Sequence, residues 1–515
     1  MAGSFTRVAA LKSAAIMTLS TYVTIALGLV VSAVLARSLG PHDYGRYAYL
    51  LWLVGLLIAF GNHGIPITAT RLLSESIGAQ NSQATHAVHR WLQRAQWLSA
   101  GLVALLFIAA FPLFKPAGWE GQAVLVSTIC LLCFIPKSVF QFDISVAKGH
   151  GAFWVEAVGN MLISVTYTIG VVVLALTHAS LEANLWWFAG VSLTHLLIIA
   201  PLLRRARIRT EKASLTPEWQ GKVRHHLVWT SMQVFLYAMS NRTFETYLLS
   251  RLMGPAEVGF LAIATNLTRG GIELLSSSLS TLLMPSLAHA KGAGGFGQVR
   301  RLLTDATRYF LFLGLFLAGV GALWAAPGIH LMYGAQYQAV VPVLQAMLLV
   351  SGLLLLDNPL SSLLLIIDDQ RVRTVRSVAY FVMSALMALA FVPSFGLMGA
   401  VMANAITGFA SFLVFGVYVS RQIDFTPPWR DMRRIAVAAI LAGVFAGGLL
   451  WLNGHLLTQW LSGLLYALVL TVASGKLGVW KRHDVALMIN IAERKPALLG
   501  RFLPGLRQWQ TQAEV

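Results

Sequence analysis

The distribution of positive charge between apolar stretches constrains the fold of this chain more than any other feature. About fourteen stretches reach the roughly 20 residues that a helix needs to cross a bilayer, and Lys and Arg accumulate in every second connection. If the N-terminus is cytoplasmic, the cytoplasmic segments hold 31 of the 38 Lys and Arg residues, the external connections 4 and the spans 3. Cytoplasmic loops of membrane proteins carry such an excess. The pattern therefore predicts an all-α polytopic membrane protein with both termini in the cytoplasm, and it accounts for the net charge of +18 without nucleic acid.

The composition excludes a soluble globular chain. Only 11% of the residues are charged, whereas charged residues make up about a quarter of soluble domains. Five uncharged windows each predict one span: 13–36, 47–70, 95–114, 157–181 and 183–203. Three longer tracts, 309–356, 377–420 and 435–475, each predict two spans, with breaks at 326–328, 393–396 and 453–455. The remaining spans are predicted near 121–142, 226–250 and 258–288.

The longest basic cytoplasmic connection, 204–224, falls between the sixth and seventh spans and carries seven Lys and Arg residues. It predicts a division into two six-helix lobes followed by two more helices. The predicted parts are an N-terminal lobe at 1–203, a basic linker at 204–226, a C-terminal lobe at 227–420, helices 13 and 14 at 421–475, and a basic cytoplasmic tail at 476–515. The tail is either an interfacial segment on an anionic inner leaflet or a solvated extension.

A repeated turn motif supports the two-lobe organisation. Residues 35–45 (LARSLGPHDYG) align with residues 249–259 (LSRLMGPAEVG) at an offset of 214. Leu, Arg, Gly, Pro and Gly coincide, and Asp43 aligns with Glu257. Each copy predicts a helix end, a Gly-Pro turn and a new helix. Because an even number of spans separates the copies, the repeat is parallel, and the lobes are related by an axis along the membrane normal.

The first of these turns, continued as ARSLGPHDYGRY at 36–47, resembles the signature of bacterial polysaccharide flippases of the multidrug/oligosaccharidyl-lipid/polysaccharide exporter superfamily. FGNHGI at 60–65 with ATR at 69–71 is similar to the second helix of that family, and YGAQY at 333–337 with PVL at 342–344 resembles its turn into helix ten. The resemblance covers residues 13 to 421. It implies a V-shaped twelve-helix core plus two helices, and transport of isoprenoid-pyrophosphate-linked saccharide from the inner to the outer leaflet.

Ionisable residues inside the spans are the candidates for function, because each costs about 2.5–3.5 kcal/mol on insertion scales and usually faces a cavity or a partner. The candidates are Lys137, Arg242, Glu245, Arg269, Glu273 and Asp357. In the seventh span, members of the resembled family often have an aspartate, whereas this chain reads NRTFE at 241–245.

The two arginines are the predicted contacts of the pyrophosphate headgroup. Arg269 has Asn266 at i−3 and Glu273 at i+4, so the three predict one polar helical face. Arg242 and Glu245 form an i, i+3 pair that follows Asn241. A guanidinium offers paired donors to a pyrophosphate and stays charged in apolar surroundings. The alternative is that each Arg neutralises its neighbouring Glu within the helix.

The other candidates have two interpretations each. Lys137 either extends to the cytoplasmic interface or contacts substrate, and we include it, with Asn241 and Asn266, in the predicted substrate-binding set. Asp357 precedes Pro359, which disfavours helix at the residue before it, so its carboxylate either binds an ion at a broken helix or caps the next helix. Glu245, Glu273 and Asp357 form the predicted cation-coupling set, with H⁺ or Na⁺ as the ion and no other cofactor. His195 is expected to be a satisfied core histidine.

The function predicted from these features is a flippase in the bacterial inner membrane that works by alternating access in O-antigen or exopolysaccharide biosynthesis. Its expected partners are the lipid bilayer, a polyprenyl-pyrophosphate-linked saccharide, and a polysaccharide polymerase with glycosyltransferases. A multidrug–cation antiporter or a peptidoglycan-precursor flippase of the same superfamily is the alternative. A membrane glycosyltransferase or polymerase is disfavoured, because no external connection exceeds about a dozen residues and such enzymes need catalytic loops. We therefore do not expect an enzyme.

Overall fold

The computed structural model of the protein describes residues 7–114, 118–119, 121–367, 370–452, 455–481, 483–486, 489 and 493. Within these ranges every regular element is helical, which confirms the predicted all-α fold class. The α-helices in chain order are α1 (Arg7–Asn62), α2 (Ile65–Gly78), α3 (Ser82–Phe114), α4 (Ala123–Gly149), α5 (Trp154–Leu176), α6 (Leu181–Arg205), α7 (Pro217–Ser240), α8 (Thr243–Leu252), α9 (Pro255–Thr268), α10 (Leu274–Tyr333), α11 (Val340–Leu354), α12 (Asp357–Ile367), α13 (Gln370–Gln422), α14 (Trp429–Leu452) and α15 (Leu456–Lys476). A π-helical turn, Arg269–Glu273, joins α9 to α10.

Nine of the described helices are long and apolar enough to cross a membrane, and α11 with α12, bent by 44°, forms a tenth. Three of the nine contain apolar segments of 48, 51 and 52 residues. At 1.5 Å per residue each is at least about 70 Å long, more than twice the hydrocarbon thickness. Each is kinked at a glycine, namely Gly40 in α1, Gly295 in α10 and Gly396 in α13. With each kinked helix counted as two spans, these helices give thirteen spans. Helices α7 and α8 lie where the seventh span is predicted and would make the fourteenth.

Both copies of the repeated turn adopt the predicted local structure. Gly40 (φ 76°) and Gly254 (φ 103°) have positive φ angles, which residues with a Cβ rarely adopt. A helix begins after each of them, at Pro41 and Pro255, where the missing proline N–H would have no helical partner in any case.

The two repeated turns also pack against each other. A Cβ on Gly45 would lie 1.8 Å from the carbonyl oxygen of Pro255, and a Cβ on Gly259 would lie 3.1 Å from the Cα of Gly45. The helices that follow the turns therefore cross with their backbones in direct contact, at glycines that occupy equivalent positions in the two copies.

The break predicted at 326–328 is wrong. Helix α10 continues through Pro327 to Tyr333 and ends at Gly334 (φ 92°). A proline removes only one backbone donor, and membrane helices tolerate this loss when neighbouring groups compensate. The break predicted at 393–396 is confirmed at Gly396. Residues 453 and 454 lie outside the described residues, and the helices on either side end at Leu452 and begin at Leu456.

The chain divides into two compact units. The first comprises Met1–Asn266, Met332–Ala339 and Arg371–Thr407. Within it, α4 packs against α1, α2 and α6. Buried apolar side chains fill the space between α2, α3, α4 and α7, where Leu73, Val88, Phe142 and Val223 are fully buried. A second cluster around Phe140 joins α4 to α5 and α6.

The second unit comprises Leu267–Leu331, Val340–Gln370 and Gly408–Val515. Its helices α14 and α15 pack through a stripe of small residues, Ala438, Ala442 and Ala446, against Tyr466 and Leu470. Small side chains at helical spacing let membrane helices approach closely, because lipid supplies no hydrophobic driving force between helices.

A buried ion pair ties the segment after α15 to α10 in the second unit. The guanidinium of Arg308 donates to Asp484 Oδ2 at 2.7 Å and to the carbonyl of Val479 at 3.1 Å. The side chains of Arg308 and Asp484 are only 1% and 2% exposed. Of the predicted tail at 476–515, residues 482, 487–488, 490–492 and 494–515 lie outside the described residues. The division into lobes at 204–226 remains a prediction; the connection between α6 and α7 is residues 206–216.

Candidate functional site

Three of the membrane spans are interrupted, and each interruption carries a residue of the predicted site. Arg242 lies between α7 and α8, Arg269 is the first residue of the π-helical turn, and Asp357 is the first residue of α12. Broken or π-bulged helices free backbone groups for binding and are frequent at functional sites. Three of the six ionisable candidates, Arg242, Arg269 and Asp357, therefore lie where the helices are irregular.

The interruption of the seventh span is a defined turn. Arg242 has a left-handed backbone (φ 60°, ψ 22°), and its N–H donates to the carbonyl of Ser240 at 3.0 Å. Its carbonyl accepts two hydrogen bonds from Thr246, from the N–H at 3.0 Å and the hydroxyl at 2.8 Å. A left-handed residue that is not glycine costs about 1–2 kcal/mol. The turn thus holds Arg242 in a conformation that glycine would adopt at lower cost.

The side chain of Arg242 links the seventh span to the eighth. Its Nη1 donates to Thr265 Oγ1 on α9 at 2.8 Å. Thr265 precedes Asn266, and both Asn241 and Asn266 are exposed. The structure therefore brings Asn241 and Arg242 next to the segment of α9 that carries Asn266; their role as a substrate-binding set stays a prediction.

Glu245, one turn after Arg242, is buried with only 1% of its surface exposed. Within the described part of the chain, neither of its carboxylate oxygens has a hydrogen-bond partner. A buried carboxylate without hydrogen bonds is costly as an anion, so it favours a bound proton or a nearby cation. This arrangement differs from a sealed Arg–Glu pair, in which the carboxylate would accept hydrogen bonds from the guanidinium.

Three further ionisable candidates, Arg269, Glu273 and Asp357, belong to the second unit. Arg269 is exposed, and its carbonyl accepts the N–H of Leu274, the hydrogen bond that closes the π turn. This turn packs against α11. The side chain of Glu273 lies outside the described residues. Asp357 accepts a hydrogen bond from the hydroxyl of Ser361 at 2.8 Å within the first turn of α12. This side-chain bond leaves both the capping and the ion-binding interpretation open.

Lys137 lines a chamber of about 350 Å³ inside the first unit, between α2, α4, α5 and α6. Its ammonium lies 3.6 Å from the centre of the Phe188 ring, and Lys137 lies in the middle of α4 rather than at either end. None of the other predicted site residues lines this chamber. We call it the α4 chamber and define its polar lining as Lys137, Gln141, Ser145, Lys148, Glu156, Asn160 and His195.

Sequence reasoning missed most of the α4 chamber. His195 is buried and its Nδ1 faces the carbonyl of Val191 at 3.0 Å, as expected for a satisfied histidine, yet it also lines the chamber. The available signal was the spacing of Lys137, Gln141, Ser145 and Lys148, which places four polar residues on one face of an otherwise apolar helix. No group of His, Cys, Asp or Glu among the described residues is placed to hold a metal ion.

Comparisons with known proteins agree with this architecture. The chain superposes on the lipid II flippase MurJ in an inward closed conformation with a TM-score of 0.68 and 18% identity, covering 88% of this chain and 97% of MurJ. An inward-facing multidrug resistance MATE family transporter of the MOP superfamily gives a TM-score of 0.64 and 16% identity, with 77% and 95% covered. These similarities show that the fold is that of membrane transporters.

Sequence comparison places the chain more closely. It is 22% identical over 356 residues to the lipopolysaccharide biosynthesis protein WzxC of Escherichia coli (strain K12), which covers 67% of this chain and 68% of WzxC. The family described as "Polysaccharide biosynthesis protein" matches residues 10–291. The predicted resemblance is confirmed: the chain is a multi-pass membrane protein that belongs to the polysaccharide biosynthesis protein family, with the transporter fold of the MOP superfamily.

Proposed function

We propose that the protein is a flippase that moves isoprenoid-pyrophosphate-linked oligosaccharide repeat units from the inner to the outer leaflet by alternating access. Its family and its relative WzxC support a place in surface polysaccharide biosynthesis, such as that of O-antigen or exopolysaccharide. Its transporter fold supports movement of a substrate across the membrane rather than catalysis. In this proposal the sugars cross in a polar cavity while the isoprenoid chain stays in lipid.

The observation that carries the proposal is the geometry of Arg242. A guanidinium stays charged in an apolar setting and binds pyrophosphate oxygens through parallel N–H donors. Arg242 sits at an interruption of a span, on a left-handed backbone, with one Nη already oriented by Thr265. We assign the pyrophosphate to Arg242, with the amides of Asn241 and Asn266 as additional donors in the same unit, and Lys137 to the sugar part. Arg269, in the second unit, is proposed by itself as a further headgroup contact.

The energy for directional transport comes, in this proposal, from H⁺ or Na⁺ bound at Glu245. The carboxylate is buried and lacks hydrogen bonds among the described residues, so a cation would remove the cost of its charge. If the ion binds one conformation more tightly than the other, it shifts the equilibrium between them. Glu273 and Asp357 are further candidates for this role.

The charge distribution supports a bacterial inner-membrane location with both termini in the cytoplasm. There the protein would receive its substrate from glycosyltransferases on the cytoplasmic side and deliver it to a polymerase on the other side. These partners follow from the chemistry of the substrate, which must be assembled before it is moved and joined afterwards.

The experiment deletes the gene and measures lipid-linked oligosaccharides and surface polysaccharide by mass spectrometry and gel analysis. Deletion should abolish the polymer and cause unpolymerised lipid-linked repeat units to accumulate in the inner leaflet. Complementation with R242A or R269A should restore little polymer, with activity lowered about 10–100-fold, because each removes charge-assisted hydrogen bonds. R242K and R269K should restore part of the activity, since a point charge replaces a paired donor.

The matched control is R300A, which removes an exposed arginine of α10 and should complement fully. Membrane levels of all variants are compared by immunoblot. Normal polymer in the deletion strain would contradict the proposed function, and full activity of R242A and R269A would contradict the assigned headgroup contacts.

Flipping of a peptidoglycan precursor is the second candidate, because the match to the lipid II flippase MurJ covers 88% of this chain whereas that to the MATE transporter covers 77%. The same deletion decides between the two. A peptidoglycan role predicts cell lysis and accumulated peptidoglycan precursor, while a role in surface polysaccharide leaves the cells viable and the polymer missing.

A further inference from the structure

The α4 chamber is a built polar cavity inside the first unit. Its volume of about 350 Å³ lies within the range of about 300–1,000 Å³ of small-molecule sites. Four helices contribute to its wall, with Pro66 from α2, Glu156 and Asn160 from α5, and His195 from α6, while one face of α4 supplies the rest. A charged side chain in the middle of a membrane helix is costly, and the position of Lys137 on the wall of this cavity therefore points to a ligand.

The chamber has one uncompensated positive charge. Lys148 and Glu156 form an ion pair at 2.7 Å and cancel each other. Lys137 has no carboxylate within ion-pair distance among the described residues, and its ammonium rests against the ring of Phe188. The net charge of the lining is therefore +1, which favours a ligand with a single negative group.

The neutral groups of the chamber are oriented by bonds to their surroundings. The amide oxygen of Gln141 accepts a hydrogen bond from Asn62 at 2.7 Å, so Gln141 offers its NH₂ to a ligand. Asn62 is itself fixed by Gln96 at 2.9 Å and Ser138 at 2.5 Å. This network makes Gln141 a donor of defined direction next to Lys137, one turn away on the same face of α4.

Two other groups are left as acceptors. His195 Nδ1 faces the carbonyl of Val191 at 3.0 Å, and because a carbonyl only accepts, Nδ1 carries the proton and Nε2 of the neutral ring accepts. The hydroxyl of Ser145 donates to the carbonyl of Gln141 at 2.9 Å, which leaves its oxygen to accept. The chamber thus combines donors suited to an anion with acceptors suited to hydroxyl groups, and Phe140 adds an apolar wall.

We propose that the α4 chamber binds an acidic sugar of the transported glycan, with the sugar carboxylate on Lys137 and Gln141 and the sugar hydroxyls on Ser145, Asn160 and His195. This inference rests on the proposed function and adds the class of saccharide. A neutral sugar would leave the buried ammonium uncompensated. A pyrophosphate carries more negative charge than one lysine balances and is better matched by arginine.

The binding test uses the full-length protein in nanodiscs and measures saturation-transfer NMR of D-glucuronate, D-glucose and inorganic pyrophosphate. The wild type should bind glucuronate at least about tenfold more tightly than glucose, because a hydrogen bond to a charged group contributes more than a neutral one. K137M should lose this preference. K212M, which removes an exposed lysine of the connection between α6 and α7, should keep it.

N160A keeps the test decisive if K137M is poorly folded, since it removes the proposed contact between the Asn160 amide and a sugar hydroxyl and leaves Lys137 in place. It should weaken glucuronate binding several-fold. Equal binding of glucuronate and glucose by the wild type, or glucuronate binding that both K137M and N160A leave at the wild-type level, would overturn the proposal. The proposal would also be overturned if pyrophosphate displaced glucuronate from the wild type at a lower concentration than from K137M, because the chamber would then hold the headgroup.

The cellular test separates this inference from the proposed function. Mass spectrometry of the lipid-linked repeat units that accumulate on deletion should find a carboxylated sugar, and K137M should accumulate the same species. Accumulated repeat units without an acidic sugar would refute the chamber proposal and leave the flippase proposal intact. No accumulation at all would refute the flippase proposal, while the binding data would still decide what the chamber holds.

Discussion

A methyl group added at Gly45 would test the close crossing of the two repeated turns. The Cβ of alanine would lie 1.8 Å from the carbonyl oxygen of Pro255, 2.4 Å from its carbonyl carbon and 3.0 Å from the nitrogen of Ala256. Non-bonded carbon contacts are optimal at about 3.5–4.0 Å, so the helices would have to separate by about 1.5 Å. All three neighbours are backbone atoms, which cannot rotate out of the way.

Overpacking of a well-packed interior costs about 1–3 kcal/mol, and we expect G45A to reach at least the upper end of this range. At about 2 °C per kcal/mol for a large domain, the midpoint of thermal unfolding should fall by at least about 5 °C. The assay is thermal unfolding of the detergent-purified protein, followed by tryptophan fluorescence and by loss of the monodisperse peak in size-exclusion chromatography.

G55A is the matched control, because Gly55 lies on the same helix and a Cβ there would meet no heavy atom within 4 Å. Alanine is about 0.5–1 kcal/mol better than glycine inside a helix, so G55A should unfold at the same temperature as the wild type or slightly higher. Equal midpoints for G45A and G55A would show that the repeated turns do not cross as closely as the geometry requires, and the reasoning would fail.

Two further substitutions probe buried charges. E245Q should abolish transport in the complementation assay while membrane levels stay normal, because the amide keeps the volume of the side chain but cannot bind H⁺ or Na⁺ in the same way. The control is E211Q, which changes an exposed glutamate. Polymer made by E245Q at the wild-type rate would exclude a coupling role. D484A should lower the free energy of unfolding by about 1.5–3 kcal/mol, since Arg308 loses its buried partner at 2.7 Å and keeps only the less buried Asp305 at 3.2 Å. D431A removes a carboxylate 3.9 Å from the partly exposed Arg434 and should cost less than about 1 kcal/mol; similar melting of the two Asp variants would contradict the assigned burial.

The features that sequence could predict are those decided by local chemistry. Gly40 with Pro41 and Gly254 with Pro255 mark turns because glycine permits positive φ and proline begins a helix, and both turns are confirmed. The costly position of Arg242 within a span was visible from hydropathy alone. The approximate number of spans could likewise be predicted from the lengths of the apolar stretches and from the uneven distribution of Lys and Arg between the connections.

The interruption of the seventh span could not be predicted. The segment around Asn241 and Arg242 contains neither Gly nor Pro. The break is stabilised by a tertiary hydrogen bond from Arg242 to Thr265 and by a local one from the hydroxyl of Thr246 to the carbonyl of Arg242. The opposite error occurred at Pro327, where a residue that breaks isolated helices lies inside a continuous one. In both cases contacts with neighbouring helices override local propensity.

The α4 chamber was only partly predictable for a related reason. Lys137 stood out because a charge in a span is costly, whereas Gln141 and Asn160 are neutral amides and His195 has an ordinary structural role to fill. Which of several polar residues meet in one cavity depends on the rotation of each helix about its axis. Packing between α4, α5 and α6 sets that rotation, and a single sequence does not reveal it.

The buried charges of this protein fall into two kinds that stability measurements can separate. Arg308 and Asp484 pair within a network that includes Asp305 and Tyr309, so removal of either takes away a close partner of the other and destabilises the fold. Lys137 and Glu245 lack such partners among the described residues, so K137M and E245Q remove a cost and should unfold at the same or a higher temperature. Functional sites commonly show this trade between stability and activity. If K137M and E245Q instead melted as early as D484A, both residues would be structural, and the assignments of substrate and coupling ion to them would fail.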